Sequence, residues 1–283
     1  DLSPGENARN WYRSASTRGN VEIQRILAPN PGLFTGPGTN TYVLGSSSDA
    51  VVIDPGPIDQ RHREAILAVV TGYNLSGILV THSHPDHAPL ANPLGIELDV
   101  PVFGYEPGPD FAPDQLLGEG DSVDVGEHEL RVLYTPGHSS DHLCFLAGDV
   151  LFTGDHIMGG STVVVEDMVA YLASLRRLGE ISLRRLYPGH GSMMDDPQGV
   201  IDEYISHRLE REEQVVQALE SGAGTVGAVV EEVYADVDPA LHPLAAHSVA
   251  AHLNKLVSEG RVRFDDGDDL WQAFVGLLGA THA

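Results

Sequence analysis

The segment Thr81–His87, THSHPDH, places three imidazoles and one carboxylate within six residues, directly after the apolar run Gly77–Val80. Extended chain sends alternate side chains the same way, so His82 and His84 can grip one ion. Pro85 then turns the chain, which lets Asp86 and His87 face a second position. Imidazole nitrogen and carboxylate oxygen suit zinc-like ions, and no thiolate is required. A fold for this chain must therefore bring the end of a buried strand to whatever completes those two positions.

Three later segments offer candidates: TPGHSSDH with His138, LFTGDH with Asp155, and YPGHG with His190. Each puts one ligand-type residue at the end of an apolar run beside a glycine, which lets backbone pass close to an ion. Strand ends are also where α/β sites gather. Any one of these alone is more often a turn residue or a hydrogen-bonded core histidine. Four such segments in one chain are a different matter. Asp54, in VVIDPGP, taken by itself reads as a plain turn aspartate before Pro-Gly. His142 stands beside the His138 motif as a candidate for supporting a ligand or protonating a leaving group. His156, His62, His128 and His207 read as structural histidines.

Around these motifs the chain mixes short strands with helices. Thr41–Leu44 and Ala50–Ile53 read as strands joined by a Gly-Ser-rich turn, and residues 57–70 as a helix with Ile58, Ala65, Ile66, Val69 and Val70 on one face. Gly77–Val80 is a buried strand. A Pro/Gly-rich stretch, residues 91–120, precedes strands at Val123–Val125 and Glu129–Leu133. A hairpin follows at Leu143–Ala147 and Val150–Thr153, with Gly148-Asp149 as its turn. Glu166–Leu178 has helical periodicity and Arg185–Tyr187 is strand-like. Beyond about Pro197 the texture becomes three helices, at Val200–Leu219, Thr225–Tyr234 and His247–Glu259. A two-stranded wing at residues 261–274 around an acidic turn completes a winged-helix outline. The division expected is a catalytic domain over residues 1–198 and a helical module over 199–283.

Composition narrows the function classes. No stretch approaches the roughly 18 to 20 apolar residues that span a bilayer, so no membrane partner is expected. The chain starts without a basic-then-apolar leader, and the compartment is read as cytoplasmic. Cys144 is the single cysteine, in the apolar run LCFLAG, and reads as a buried, inert thiol. Acidic residues outnumber basic ones 41 to 16, a formal charge of −25. That field repels polyanions and welcomes divalent cations.

Taken together, GPGTNTYVLG (36–45), THSHPDHA, TPGHSSDH, FTGDHIMGGST and PGHG resemble the metallo-β-lactamase superfamily, over about residues 20–195. With the winged-helix-like tail they look like its β-lactamase-like-protein-2 branch. The resemblance implies an α/β (α+β) fold, a four-layer αββα sandwich followed by a small winged-helix-like domain. It implies a di-metal site with His82, His84 and His138 on the first ion, and Asp86, His87 and His190 on the second. Asp155 would bridge the two, and Asp54 would support them. The ions would be zinc, with manganese or iron as alternatives. The chain departs from the branch at Gly160, where a bulky aromatic is common, and at Ser192-Met193-Met194 after PGHG.

Two ions sharing a bridging water would make hydroxide available at neutral pH, with Asp86 orienting it and taking its proton. The first reading of function is a metal-dependent hydrolase of an ester, thioester, lactone or related amide. The second, from branch resemblance, is a metal-dependent endoribonuclease acting on single-stranded RNA. It would need a basic groove, and the tail offers only Lys255, Arg261 and Arg263 against Asp265, Asp266, Asp268 and Asp269. A third is a winged-helix regulator with a non-catalytic metal site, which the acidic wing opposes. The tail is expected to wall the substrate cleft or to form a homodimer interface.

Overall fold

The apolar runs VVI and GIL fall in strands covered on both faces, which is why neither alternates with polar residues. The computed structural model describes residues 11–16, 19–160, 163–265 and 270–273. Of these, the residues in Asp1–Thr135, Asp141–Thr162 and Ser182–Pro197 form one unit. Those in Pro136–Ser140, Val163–Ile181 and Gln198–Ala283 form a second.

The first unit holds two sheets. One has seven strands in chain order: β1 (Trp11–Ser16), β2 (Gly19–Leu27), β3 (Asn40–Ser46), β4 (Asp49–Ile53), β5 (Asn74–Leu79), β6 (Val102–Gly104) and β7 (Gln115–Leu116). The first four pair antiparallel and the rest parallel. Parallel neighbours need crossovers, and α1 (Gln60–Val70) and α2 (Ala91–Leu98) supply two of them. The other sheet runs β12 (Arg185–Pro188), β11 (Val150–Gly154), β10 (Leu143–Ala147), β9 (His128–Tyr134), β8 (Ser122–Val125). The period of two sorts the side chains. Val51, Ile53 and Leu79 join Val132, Phe145, Phe152 and Tyr187 between the sheets, while Val52, Ile78 and Val80 meet Ile66, Val70 and Leu94 of the helices. Helix, sheet, sheet is the layering of this unit.

Three local readings change. Helix α1 starts at Gln60, because Asp59 caps it by accepting from His62 N at 2.9 Å; Ile58 lies outside the helix and is 70% exposed rather than on its buried face. The Pro/Gly-rich stretch contains α2, with Pro93 in the first turn, where the missing N–H costs nothing. Strands β1 and β2 form an antiparallel pair ahead of the first strand expected.

The second unit holds α3 (Met168–Gly179), α4 (Pro197–Glu220), α5 (Val226–Val233), α6 (His242–Ser258) and the antiparallel hairpin β13 (Val262–Asp265) and β14 (Leu270–Ala273). Val215, Leu219, Val229, Val230, Val249, Leu253 and Leu256 form its core. Three helices and a wing are present as expected; Asp266, Asp268, Asp269 and Phe274 of the expected wing lie outside the described residues. Two of its cations, Lys255 and Arg261, pair within the unit. Lys255 pairs with Glu212 at 2.8 Å and Glu259 at 2.7 Å, and Arg261 with Glu212 at 2.9 Å and Glu213 at 3.2 Å. Among the described residues no helix is long and apolar enough to cross a membrane.

Strand β3 holds the PGHG loop from across the inter-sheet core. Tyr42 Oη donates to Pro188 O at 2.7 Å, and Asn40 Nδ2 donates to Pro188 O at 2.9 Å and Gly191 O at 3.0 Å. Burial raises the Tyr42 phenol above its ordinary pKa, so it remains a donor at neutral pH. Tyr42→Phe is expected to cost about 1 kcal/mol, the low end for a buried hydrogen bond, because Asn40 still satisfies the carbonyl. The shift in urea midpoint at unchanged slope measures it.

Candidate metal centre

The ends of β4 and β5 are joined by one carboxylate. Asp54 follows β4 at φ +50°, a left-handed conformation that Asp tolerates through local hydrogen bonding. Its Oδ1 accepts Thr81 N at 2.7 Å; its Oδ2 accepts Thr81 Oγ1 at 2.8 Å and faces His87 Nδ1 at 2.9 Å. Of the two readings of Asp54, the supporting one fits: it fixes the residue that starts the histidine motif and the ring that ends it. The turn after Pro85 closes with His87 N and Ala88 N both on His84 O, and this is what re-aims Asp86 and His87.

These bonds fix the tautomers. Asp54 can only accept, so His87 carries its proton on Nδ1 and turns Nε2 inward. His190 Nδ1 faces Gly38 O at 3.2 Å and therefore does the same. The single Thr81 hydroxyl hydrogen goes to Asp54, so Thr81 Oγ1 accepts from His82 Nδ1 at 3.0 Å, and His82 Nε2 points at His84 Nδ1, 2.9 Å away.

Donor atoms of Asp86, His87, Asp155 and His190 all lie within 4.8 Å of one another. The separations are 3.2 Å for His87 Nε2 to His190 Nε2, and 3.0 Å for His190 Nε2 to Asp86 Oδ2. His87 Nε2 lies 3.4 Å from Asp155 Oδ1 and 3.5 Å from Asp86 Oδ2. Ligands at 2.0–2.2 Å around a tetrahedral ion are roughly 3.4 Å apart, so the group has the dimensions of a first shell. Two ring lone pairs and two carboxylates facing one point require a cation between them. Without a metal, protons take that place. Burial opposes the charged form of His87, but Asp155, Asp86 and Asp54 outweigh it and hold its pKa well above the ordinary histidine value. Burial likewise opposes protonation of His190, and hydrogen bonds to Asp155 and Asp86 raise it to about 9. Burial would raise Asp86, yet His87 and His190 bring it down to about 2; the same balance takes Asp155 well below the carboxylate range.

The loops are built for this closeness. A Cβ on Gly189 would stand 2.6 Å from Asp155 Oδ1 and 2.7 Å from His87 Cε1. Asn40 N donates to Gly189 O, and Thr39 bridges His190, so the TNTY segment clamps PGHG. That clamp, and Asp141 Oδ2 accepting Ser83 N at 2.8 Å, lie in the GTN and SSDH segments, whose local patterns name no distant partner. His138 belongs to the second unit, where its buried ring faces Val164 O through Nδ1 at 2.7 Å. His142 is fully buried; its Nε2 accepts Asp155 N at 3.2 Å and its Nδ1 faces Thr135 Oγ1 at 3.0 Å. His62 faces Thr41 Oγ1 at 2.8 Å, and burial lowers it to about 4 against a smaller pull from Asp59. Cys144 is buried, with Thr135 Oγ1 donating to its sulfur at 3.3 Å.

Comparison with known proteins agrees with this architecture. The model for the metallo-beta-lactamase superfamily matches residues 34–108 and 92–190, together more than half of the chain, and that for the beta-lactamase associated winged helix domain matches 225–271. A beta-lactamase-like protein 2 homolog from Drosophila melanogaster is 35% identical over 90% of this chain and 94% of its own length. An atrochrysone carboxyl ACP thioesterase from Aspergillus fumigatus is 33% identical over 75% of this chain and 73% of its own. The crystal structure of a beta-lactamase domain protein from Burkholderia ambifaria has a TM-score of 0.77 at 21% identity, covering 92% of this chain and 95% of that one.

At pH 7 His190, held at about 9, and His87 carry protons in the metal-free protein. An ion must displace them. Metal uptake at pH 7 should therefore release at least about one proton per ion, and affinity should weaken as pH falls. Calorimetric titration in buffers of different ionisation enthalpy tests this; a heat independent of buffer would contradict it.

Proposed function

The chain belongs to the metallo-β-lactamase superfamily and carries the associated winged-helix domain, and from that premise we propose that it is a di-metal hydrolase acting on an ester, thioester, lactone or related amide. Asp86, His87, Asp155 and His190 would hold one ion, and His82, His84 and His138 the other. The observation that carries the reading is the convergence of inward-facing ring nitrogens and carboxylate oxygens at first-shell spacing. When bound, such ions would supply Lewis acidity and make solvent acidic enough to ionise near neutrality.

The protein's own groups do the rest. Asp86 is about a quarter exposed at its side chain, against 0% for His87 and 3% for His190. It is ionised at neutral pH, so it is the carboxylate that orients attacking water and takes its proton. His142 has both ring nitrogens committed inside the unit and no surface exposed. Its part is to hold the Asp155 backbone through Nε2, rather than to protonate a leaving group. Asp54 fixes the tautomer and rotation of His87.

The thioesterase named among the relatives supports the acyl-transfer class. Against the ribonuclease reading stand the net charge of −25 and the internal use of Lys255 and Arg261, two of the three cations the tail offers near its recognition helix and wing. The same pairs count against DNA binding by the module.

His84→Ala and Asp155→Ala are each expected to abolish turnover and lower metal content, beyond the roughly 10- to 100-fold loss typical when an outer partner is removed. Full activity in either would refute the site. Nitrocefin, a short acyl thioester, a homoserine lactone, bis-p-nitrophenyl phosphate and a single-stranded RNA, each with and without chelator, test the substrate class. Chelator-sensitive turnover of the carboxylic substrates is expected. Catalytic cleavage of RNA with no ester or thioester turnover would reverse the order.

A further inference from the structure

The groups that set the rotation of His138 all lie in its own unit. Its Nδ1–H donates to Val164 O at 2.7 Å, which puts the lone pair on Nε2. The preceding carbonyl, Gly137 O, accepts Glu166 N at 2.8 Å and Asp167 N at 3.0 Å, where Asp167 caps α3. Gly137 is at φ +137°, and a Cβ there would stand 2.4 Å from Tyr171 Cα. Residues 163–171 are the frame in which this histidine is mounted.

The frame is itself held from the C-terminal module. Arg208, in the middle of α4, donates from Nη2 to Val163 O at 2.5 Å, and its guanidinium lies over the Tyr171 ring, 5.5 Å from the centroid. Arg208 is 3% exposed, and that carbonyl is its side chain's only hydrogen-bond acceptor among the described residues. Burying a guanidinium against one neutral acceptor is costly, and a methionine would fill similar space without that cost. What the arginine adds is a donor aimed at the residue beside Val164.

We propose that Arg208 is a positioning residue for the metal centre: through Val163 it fixes the Val164 carbonyl, and through that the ring of His138. The C-terminal module thereby sets the affinity of one ion position. This rests on the assignment of His138 as a ligand.

The test uses the full-length chain, stripped of metal and titrated with zinc against a chromophoric chelator that resolves two binding steps, with thermal unfolding followed in parallel. Arg208→Met should weaken one step by about tenfold and leave the other unchanged. Arg208→Lys, which keeps a donor, should recover part of the loss. If Arg208→Met does not fold, Arg208→Lys decides: partial weakening confined to one step supports the role, and equal weakening of both overturns it. Arg211→Met is the control, since Arg211 also projects from α4 but donates to Val233 O and lies over Tyr234. It should leave both steps intact. The same selective loss in Arg211→Met would reduce the effect to general softening and overturn the proposal. His138→Ala separates the two layers of the argument. Unchanged binding of both ions in that variant would remove the ligand assignment. Loss of one step there, with wild-type binding in Arg208→Met, would overturn the positioning role alone.

Discussion

A single buried carboxylate organises the ligand-bearing edge of the first sheet. Asp54 sits 2% exposed and takes two hydrogen bonds from Thr81 and one from the His87 ring. A buried anion is tolerable only with that degree of satisfaction. The geometry also works in the other direction, because the three donors are themselves located by it. Thr81 has one hydroxyl hydrogen, and Asp54 claims it, which forces His82 to present Nε2. His87 must protonate Nδ1 and present Nε2. One side chain at the end of β4 therefore determines which nitrogen two different histidines leave unprotonated.

The parts of this arrangement that were legible in the sequence are those governed by local spacing. THSHPDH carries its own geometry, since extended chain aligns His82 with His84 and Pro85 breaks the register before Asp86. The three helices and wing of the tail are likewise local patterns. Strand runs buried on both faces were visible as apolar stretches, but which face met helix and which met sheet depends on partners elsewhere in the chain. Helix α2 was missed because Pro93 and Gly95 read as turn signals; in fact Pro93 occupies a first turn that has no use for its N–H. Periodicity alone puts Ile58 on a helix face, because it ignores the cap at Asp59. The clamps were beyond reach for a plainer reason. Asn40 meets Pro188 at 148 positions' distance and Arg208 meets Val163 at 45, and no local rule pairs them.

Charge is distributed with the same economy. The chain carries −25, yet Asp86 and Asp155 face the imidazoles of His87 and His190, and Glu212 of α4 faces Lys255 and Arg261. The winged-helix module thus resembles nucleic-acid readers in outline, while cations on its recognition helix and at the start of its wing face inward to carboxylates. A module whose cations are paired with its own carboxylates is poorly suited to gripping phosphate.

The clamp on the PGHG loop has a consequence for biogenesis. Gly38, Asn40 and Tyr42 grip Gly191, Pro188 and His190 across 146 to 152 positions of chain. A ribosome-bound chain that has displayed its histidine heptad still lacks the last imidazole of the Asp86–His87 cage until every strand of its second sheet has been synthesised. Such long loops close late, because their entropy must be surrendered before any contact rewards it. The Asp86–His87–Asp155–His190 group is accordingly assembled only after that long-range closure, and a shorter nascent chain carries it incomplete.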